Sequence, residues 1–152
     1  MDPQINIEFI STEQTFLLRR AVLEHDPSNE NVKLEKDDDP ESFHLGAIYN
    51  KEIVSIVTFH KMANDIFNES FQYQLRKMAT STDYRNLHLG KKLIAFGIEY
   101  LKNKGVQLIW CNARAGAIGF YEKSGFIPVG DFFDLPPIGL HKVLSRKVEA
   151  GS

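Results

Sequence analysis

The chain has 152 residues, of which 43% are apolar and 25% charged, including eleven Phe, five Tyr and one Trp. These values are typical of one soluble globular domain with a sizeable core, which we expect at residues 1–149 with a disordered tail at 150–152. No apolar run approaches the roughly 20 residues of a membrane span. The lone Cys111 excludes an intrachain disulfide and a Cys-rich zinc module. Without a secretory signal pattern, the sequence predicts a cytoplasmic protein.

Charge is unevenly distributed along the chain. Residues 1–41 carry eleven acidic and four basic side chains, whereas residues 85–104 carry five basic and one acidic. The formal net charge of -2 argues against a nucleic-acid partner. A basic segment in an acidic chain indicates a local anionic ligand instead. We expect the run Asp37-Asp38-Asp39 to be solvated surface, and the alternative is a site for a metal or a cationic substrate.

The first half of the chain predicts one helix and several strands. Ile5, Ile7 and Phe9 alternate with polar residues, as in a half-buried strand. Ser11 and Gln14 have the spacing of a capping box, which predicts that a helix follows. Few apolar residues occur in the next stretch, which we interpret as a loop. The helix is predicted at residues 16–23 and the loop at 25–41. Three antiparallel strands are predicted at residues 43–49, 53–59 and 71–79, and Asn50-Lys51-Glu52 is the hairpin turn between the first two.

The second half changes period and predicts a βαβ unit. Apolar residues at helical spacing predict a helix over residues 89–104, and Gly105 is placed to end it. The apolar run after it predicts a strand buried on both faces, parallel to strand 71–79. A short helix and two last strands complete the chain, at residues 116–124, 126–129 and 141–148. The predicted class is α/β of the mixed α+β kind.

The segment between strand 71–79 and the next helix has the composition of an anion site. Backbone N–H groups at a helix N-terminus lack partners and attract phosphate. Gly90 permits close approach to the backbone, and Arg85 supplies charge-assisted hydrogen bonds. The segment is not a P-loop, since Gly-x-x-x-x-Gly-Lys-Ser/Thr is absent. An ordinary basic helix start with solvated lysines is the alternative.

Two motifs resemble a known family. The run Arg85-Asn86-Leu87-His88-Leu89-Gly90 resembles the pyrophosphate loop of the GNAT superfamily of acyl-CoA-dependent N-acyltransferases, Arg/Gln-x-x-Gly-x-Gly/Ala. His88 replaces the first glycine of that pattern. Ala117-Ile118-Gly119-Phe120-Tyr121-Glu122-Lys123-Ser124-Gly125-Phe126 resembles the second family signature, Ala-x-x-Phe-Tyr-Glu-Lys-x-Gly-Phe. The two motifs occur in the family's order, and the resemblance covers roughly residues 43–148.

The resemblance implies a fold, a cofactor and its contacts. The fold would be a twisted, mostly antiparallel sheet with a central splayed parallel βαβ unit flanked by helices. Acetyl-CoA would be the co-substrate, lying between the strands that match residues 71–79 and 106–112, and no metal is expected. The implied cofactor-binding residues lie at a strand end, in the following turn and on the next strand: Met78, Ala79, Thr80, Arg85, Asn86, Leu87, His88, Leu89, Gly90, Lys91 and Asn112.

The resemblance also implies direct acetyl transfer to a primary amine. Tyr121 would be the general acid that protonates the departing thiolate, and backbone N–H groups near Met78 would face the thioester carbonyl. The general base stays open between His60 and His141. The acceptor would be a small-molecule or peptide amine. We expect the acidic residues 1–41 to be ordinary solvated surface, and the alternative is an acidic rim that attracts a cationic amine. A non-catalytic acyl-CoA-binding or sensor module is the alternative, and family analogy alone allows a homodimer.

Overall fold

A computed structural model describes residues 4–24 and 31–148, so the predicted tail and residues 25–30 lie outside the described part. The strands are β1 (Asn6–Ile10), β2 (Phe43–Tyr49), β3 (Glu52–Lys61), β4 (Gln72–Thr80), β5 (Leu108–Arg114), β6 (Ile127–Leu135) and β7 (Gly139–Lys147). The helices are α1 (Phe16–Leu18), α2 (Leu89–Asn103) and α3 (Ile118–Glu122). A 3₁₀ turn, Glu13–Thr15, precedes α1, and a wider π turn, Arg19–Leu23, follows it.

The strands form a seven-stranded sheet in the order β1-β2-β3-β4-β5-β7-β6. β4 and β5 are parallel and are paired from Gln72–Leu108 to Gln74–Trp110, whereas β1–β2, β2–β3, β5–β7 and β6–β7 are antiparallel. The predicted α/β class with a mostly antiparallel sheet and a parallel βαβ unit is confirmed. No helix among the described residues is long and apolar enough to cross a membrane.

Contacts divide the chain into two compact units. Unit 1 comprises the residues up to His60 together with Arg76–Gly97, and unit 2 comprises Lys61–Leu75 and the residues from Ile98 onward. In unit 1, a core cluster of Leu18, Ile56 and Ala79 packs the first helical segment against the sheet. In unit 2, the fully buried apolar side chains include Tyr73, Leu101, Leu108, Ile109 and Leu144.

Local signals in the sequence correspond to local hydrogen bonds. The Ser11 N–H donates to Gln14 Oε1 at 2.8 Å and the Gln14 N–H donates to Ser11 Oγ at 3.2 Å, so the predicted capping box forms. Asn50 and Lys51 have φ of 51° and 66°, as the two central residues of a type I′ hairpin turn require. The hairpin turn therefore has two residues, because Glu52 already pairs with Tyr49.

Glycines follow α2 and α3 and end both helices in the same way. Gly105 has φ of 83°, and the Val106 N–H donates to the Leu101 carbonyl at 3.1 Å. Gly125 has φ of 89°, and the Phe126 N–H donates to the Tyr121 carbonyl at 3.2 Å. Both are Schellman ends, which favour glycine because the left-handed conformation is strained for side chains with a Cβ.

The last two strands are longer than the sequence predicted. Residues 130–135 continue β6 beyond the predicted 126–129, and β7 begins at Gly139 rather than residue 141. The register shifts between Val129 and Phe133, and Gly130 in this stretch has φ of 77°. A glycine in a bulge has the same sequence signature as a strand end, which explains the error.

Candidate active site

The turn between β4 and α2 has a glycine-like backbone. After the 3₁₀ turn Thr82–Tyr84, Asn86 has φ of 76° and His88 has φ of 57°. Asn and His adopt this left-handed conformation more readily than most residues with a Cβ. His88 therefore takes the backbone conformation that a glycine adopts easily, at the position where the family pattern has a glycine.

The same turn places free donors at the N-terminus of α2. The Lys92 N–H donates to the His88 carbonyl at 3.1 Å, so His88 occupies the capping position. The N–H groups of Leu89, Gly90 and Lys91 precede this first bond and have no acceptor within the helix. Leu89 and Gly90 are buried, whereas the side chains of Arg85 to His88 and of Lys91 are exposed. Unit 1 thus brings the predicted loop residues together around one positive helix end.

β4 has an irregular backbone just before the predicted thioester contacts. Lys77 has φ of 55° inside the strand, which is typical of a bulge that re-aims the following backbone groups. Ser55 Oγ donates to the Ala79 carbonyl at 3.3 Å and lies 2.8 Å from Thr80 Oγ1. Ala79 is buried, and Met78 and Thr80 are half-buried. The strand end is therefore anchored on its β3 side.

A long contact links the strand end to the turn. The Arg85 guanidinium Nε donates to the Thr80 carbonyl at 3.5 Å. Because Arg85 is exposed, its remaining donors face solvent beside the helix end. Arg85 is therefore placed to add charge to the free N–H groups of α2.

Tyr121 and Asn112 lie in unit 2. The Tyr121 ring packs in edge contacts against Phe120 and Phe126, with centroids 5.1 and 5.8 Å away. Burial raises the pKa of the Tyr121 phenol, with a further increase from Cys111 and an opposing effect of Arg114. The phenol is therefore protonated at neutral pH, as a proton donor must be. Asn112 is exposed on β5.

The two candidate bases have different surroundings. His60 Nε2 lies 2.9 Å from Asp37 Oδ1, and its buried Nδ1 has no hydrogen-bond partner among the described residues. His141 Nδ1 lies 2.8 Å from the Gly139 carbonyl. Since a carbonyl only accepts, this contact places a proton on Nδ1, so the neutral form of the ring has its lone pair on Nε2. The His141 tautomer is therefore the one that a base acting through Nε2 requires.

Asp37 is buried, so the expectation of a solvated acidic run was wrong for this residue. Its carboxylate accepts from Arg19 at 2.6 and 3.1 Å and from the Leu34 N–H at 2.7 Å. Burial alone would raise the pKa of Asp37, but hydrogen bonds from His60 and Arg19 outweigh it and hold the pKa far below its usual range. Asp38 and Asp39 are exposed, as expected.

The buried network extends beyond the ion pair, and sequence reasoning missed it. Arg19 Nη2 donates to Thr58 Oγ1 at 2.9 Å, and His44 Nδ1 lies 2.7 Å from the same hydroxyl. Burial lowers the pKa of His44, against opposing effects of Asp37. A signal was present in the sequence, because Arg19 falls on the same helical face as Thr15 and Leu18. An arginine there requires a buried acidic partner.

Cysteine and metal chemistry receive no support from the described residues. Burial raises the pKa of the Cys111 thiol to about 12, so the side chain is a neutral part of the core at neutral pH. Within residues 4–24 and 31–148, no group of three or more His, Cys, Asp or Glu side chains is placed to hold a metal ion.

Comparison with known proteins places the chain in a family. A model of the acetyltransferase (GNAT) family matches residues 9–126. The chain is 37% identical over 142 residues to a Bacillus subtilis (strain 168) protein named uncharacterized N-acetyltransferase YitI, covering 93% of this chain and 95% of that protein.

Solved structures share the fold at low sequence identity. The ribosomal-protein-S18-alanine N-acetyltransferase from Escherichia coli superposes with a TM-score of 0.76 at 16% identity, covering 98% of this chain and 97% of that one. An aminoglycoside 6'-N-acetyltransferase complexed with coenzyme A gives a TM-score of 0.74 at 16% identity, covering 97% and 99%. The protein described here belongs to the GNAT family of acetyltransferases.

Proposed function

We propose that the protein transfers an acetyl group from acetyl-CoA to a primary amine by direct attack. The observation that carries this proposal is the left-handed backbone at Asn86 and His88 immediately before α2. It gives the turn the shape of a glycine-containing phosphate loop although His88 carries a Cβ. Family membership and the coenzyme A bound to one structural relative support the same cofactor.

The pyrophosphate would be bound by the turn and the start of α2. The N–H groups of Leu89, Gly90 and Lys91 have no acceptor within the helix, and the helix dipole favours an anion there. Arg85 adds a charged donor beside them. Because these contacts come from the backbone, replacement of the pattern's first glycine by His88 is compatible with binding. Asn86 and Leu87 complete the turn.

β4 would orient the acyl group. A bulge at Lys77, where φ is 55°, would re-aim the backbone groups of Met78 to Thr80. The Met78 N–H is our assignment for the donor that stabilises negative charge on the carbonyl oxygen as the amine attacks. Ser55, by holding Ala79 and Thr80, fixes these groups in place. Asn112 on β5 would contact the pantetheine arm.

The transfer also requires two proton movements. The acceptor ammonium must lose one proton before its nitrogen forms the C–N bond, and His141 Nε2, directly or through a water, is our assignment for the base. When the C–S bond breaks, Tyr121 donates its phenolic proton to the thiolate. The Tyr121 phenol carries the proton that its role requires, and the neutral His141 tautomer with its proton on Nδ1 has the Nε2 lone pair that a base needs.

A non-catalytic acyl-CoA-binding module is the second candidate. The observation that favours it is the side chain of His88 at a position where the pattern has none. Release of CoA thiol from acetyl-CoA in the presence of an amine separates an enzyme from such a module. Tight acetyl-CoA binding without any release would favour the module.

Two substitutions test the enzymatic assignment. Arg85→Ala should weaken acetyl-CoA binding in a calorimetric titration, whereas Lys104→Ala, at the other end of the basic segment, should not. Tyr121→Phe should lower kcat by about 100-fold or more with acetyl-CoA affinity retained, and Tyr49→Phe is its control. Unchanged turnover of the Tyr121 variant would remove its role as general acid.

A further inference from the structure

A groove of about 610 Å³ lies between the segment that joins β3 to β4 and the adjoining strands of unit 2. Gln72, Gln74 and Trp110 line it from the strands, and the joining segment contributes Asp65, Phe67 and Glu69 among others. A volume of this size is within the range of small-molecule sites. No element of the proposed cofactor loop lines the groove.

The joining segment is fixed to the strands by specific hydrogen bonds. Gln72 Oε1 accepts from the Asn64 N–H at 2.8 Å, and Gln72 Nε2 donates to the Glu69 carbonyl at 2.8 Å. The Trp110 indole N–H donates to the Met62 carbonyl at 2.8 Å. The groove is therefore bounded by groups with defined partners, as a preformed binding site requires.

The side chain of Gln72 is held by the hydrogen bonds just described, whereas no such bond accounts for the burial of Gln74 among the described residues. Both are nine-tenths or more buried, and their spacing of two places them on one face of β4. Buried parallel strands are normally apolar, so each amide needs a partner. Among the described residues, no hydrogen bond satisfies the Gln74 side chain, which faces the groove. The Gln74 amide atoms are not among the enclosed side-chain atoms without a partner, so they reach the open side of the groove and are available to a ligand.

The charged side chains that line the groove are all acidic. Asp65 and Glu69 are acidic, and no Lys, Arg or His is among the lining residues. Trp110 and Phe67 supply aromatic surfaces, which attract cations. Carboxylates beside aromatic rings and one free amide form the environment that an organic ammonium group prefers.

We propose that this groove is the subsite for the acceptor, a small organic amine that binds as its ammonium ion. The assignment of the acceptor role rests on the proposed acetyl transfer. Asp65 and Glu69 attract the positive charge, Trp110 and Phe67 cover the carbon skeleton, and Gln74 hydrogen-bonds a polar group of the amine. Acetylation converts the ammonium into a neutral amide, so the product loses the charge attraction and dissociates.

The single tryptophan gives a direct assay, because Trp110 is itself in the groove. The full-length protein is titrated without acetyl-CoA with spermidine, lysinamide and phenethylamine, and the indole emission is followed. N-acetylphenethylamine is the neutral control ligand. At least one amine should change the emission saturably, and the neutral amide should bind at least about tenfold more weakly, a difference of about 1.4 kcal/mol.

Variants connect the signal to the groove. Combined Asp65→Asn and Glu69→Gln substitutions, and separately Gln74→Leu, should each weaken amine binding about tenfold. Glu35→Gln, which removes an exposed carboxylate elsewhere, should leave it unchanged. Circular dichroism verifies that each variant folds. In the CoA-release assay the same variants should raise KM for the amine and leave KM for acetyl-CoA unchanged.

The outcomes separate the two proposals. If acetyl-CoA is bound and cleaved but no amine affects Trp110 emission, or if the neutralised variant binds amines equally well, the groove is not the acceptor subsite and acetyl transfer stands. If amines bind but acetyl-CoA is neither bound nor cleaved, the proposed function fails and the acceptor role fails with it.

Discussion

Asp37→Asn should strongly destabilise the protein because it removes the negative partner of a buried arginine. Arg19 and Asp37 are 1% and 0% exposed at their side chains, and two hydrogen bonds join them. Asn keeps the shape but removes the charge, and its amide nitrogen would face the donors of Arg19 or the Leu34 N–H. Removing one partner of a buried ion pair costs about 3–5 kcal/mol.

That cost is a large part of the roughly 5–15 kcal/mol by which a domain is stable. For a chain of this size it corresponds to a fall in Tm of about 6–20 °C. Urea and thermal unfolding followed by far-ultraviolet circular dichroism measure the change. Asp39→Asn, an exposed neighbour in the same acidic run, is the matched control and should cost about 1 kcal/mol or less.

Equal stability of the Asp37→Asn and Asp39→Asn variants would refute the reasoning, because it would mean that Arg19 needs no buried carboxylate. A further variant separates loss of charge pairing from loss of packing. Arg19→Met combined with Asp37→Leu removes both charges and should recover much of the stability lost in Asp37→Asn. If the double variant recovers none of the lost stability, the destabilisation in Asp37→Asn comes from the other partners of Asp37 rather than from Arg19.

Three further predictions concern pH and backbone conformation. Burial lowers the pKa of His44 below its ordinary 6.5, so the unfolded chain binds its proton more tightly and the free energy of unfolding should fall as pH drops below that value. The pKa of Asp37 is also lowered, so the free energy of unfolding should fall a second time below about pH 4. Urea titrations at several pH values measure both decreases, and the His44→Gln variant should lack the first one. Gly125→Ala should cost about 1–2 kcal/mol in urea unfolding, because φ is positive and a Cβ would lie 3.0 Å from the Arg146 guanidinium. His88→Gly should bind acetyl-CoA at least as tightly as the unaltered protein in calorimetry, and lost binding would contradict a backbone-based pyrophosphate site.

The features predictable from sequence are those with local causes. The capping box of Ser11 and Gln14 joins residues three apart, and the hairpin turn at Asn50 needs only two residues with positive φ. Gly105 and Gly125 end their helices through bonds within six residues. In each case the residue type and its partner lie within one sequence window, so the pattern alone contains the information.

The features missed depend on distant partners. Asp37 meets Arg19 from 18 positions away and His60 from 23, and nothing in the triple-aspartate run distinguishes its first member from the other two. The groove of unit 2 likewise needs the β4–β5 register, which pairs Gln74 with Trp110. Of the candidate site, the loop and the Tyr121 motif were recognisable as sequence, whereas the burial of Tyr121 and the bulge at Lys77 required coordinates.

The location of the acidic residues changes the interpretation of the acceptor. From the sequence, the acidic residues 1–41 were expected to be solvated surface, with an acidic rim for a cationic amine as the alternative. Asp37 is instead neutralised inside unit 1 by Arg19, and Asp38 forms an ion pair with Lys33. Asp65 and Glu69 line the groove of unit 2 together with aromatic side chains and without a basic residue, and they lie in a part of the chain with no excess of charge in the sequence. Net charge along a segment counts ionised groups without regard to their partners, so the attraction for an ammonium ion depends on which carboxylates remain unpaired beside a binding surface.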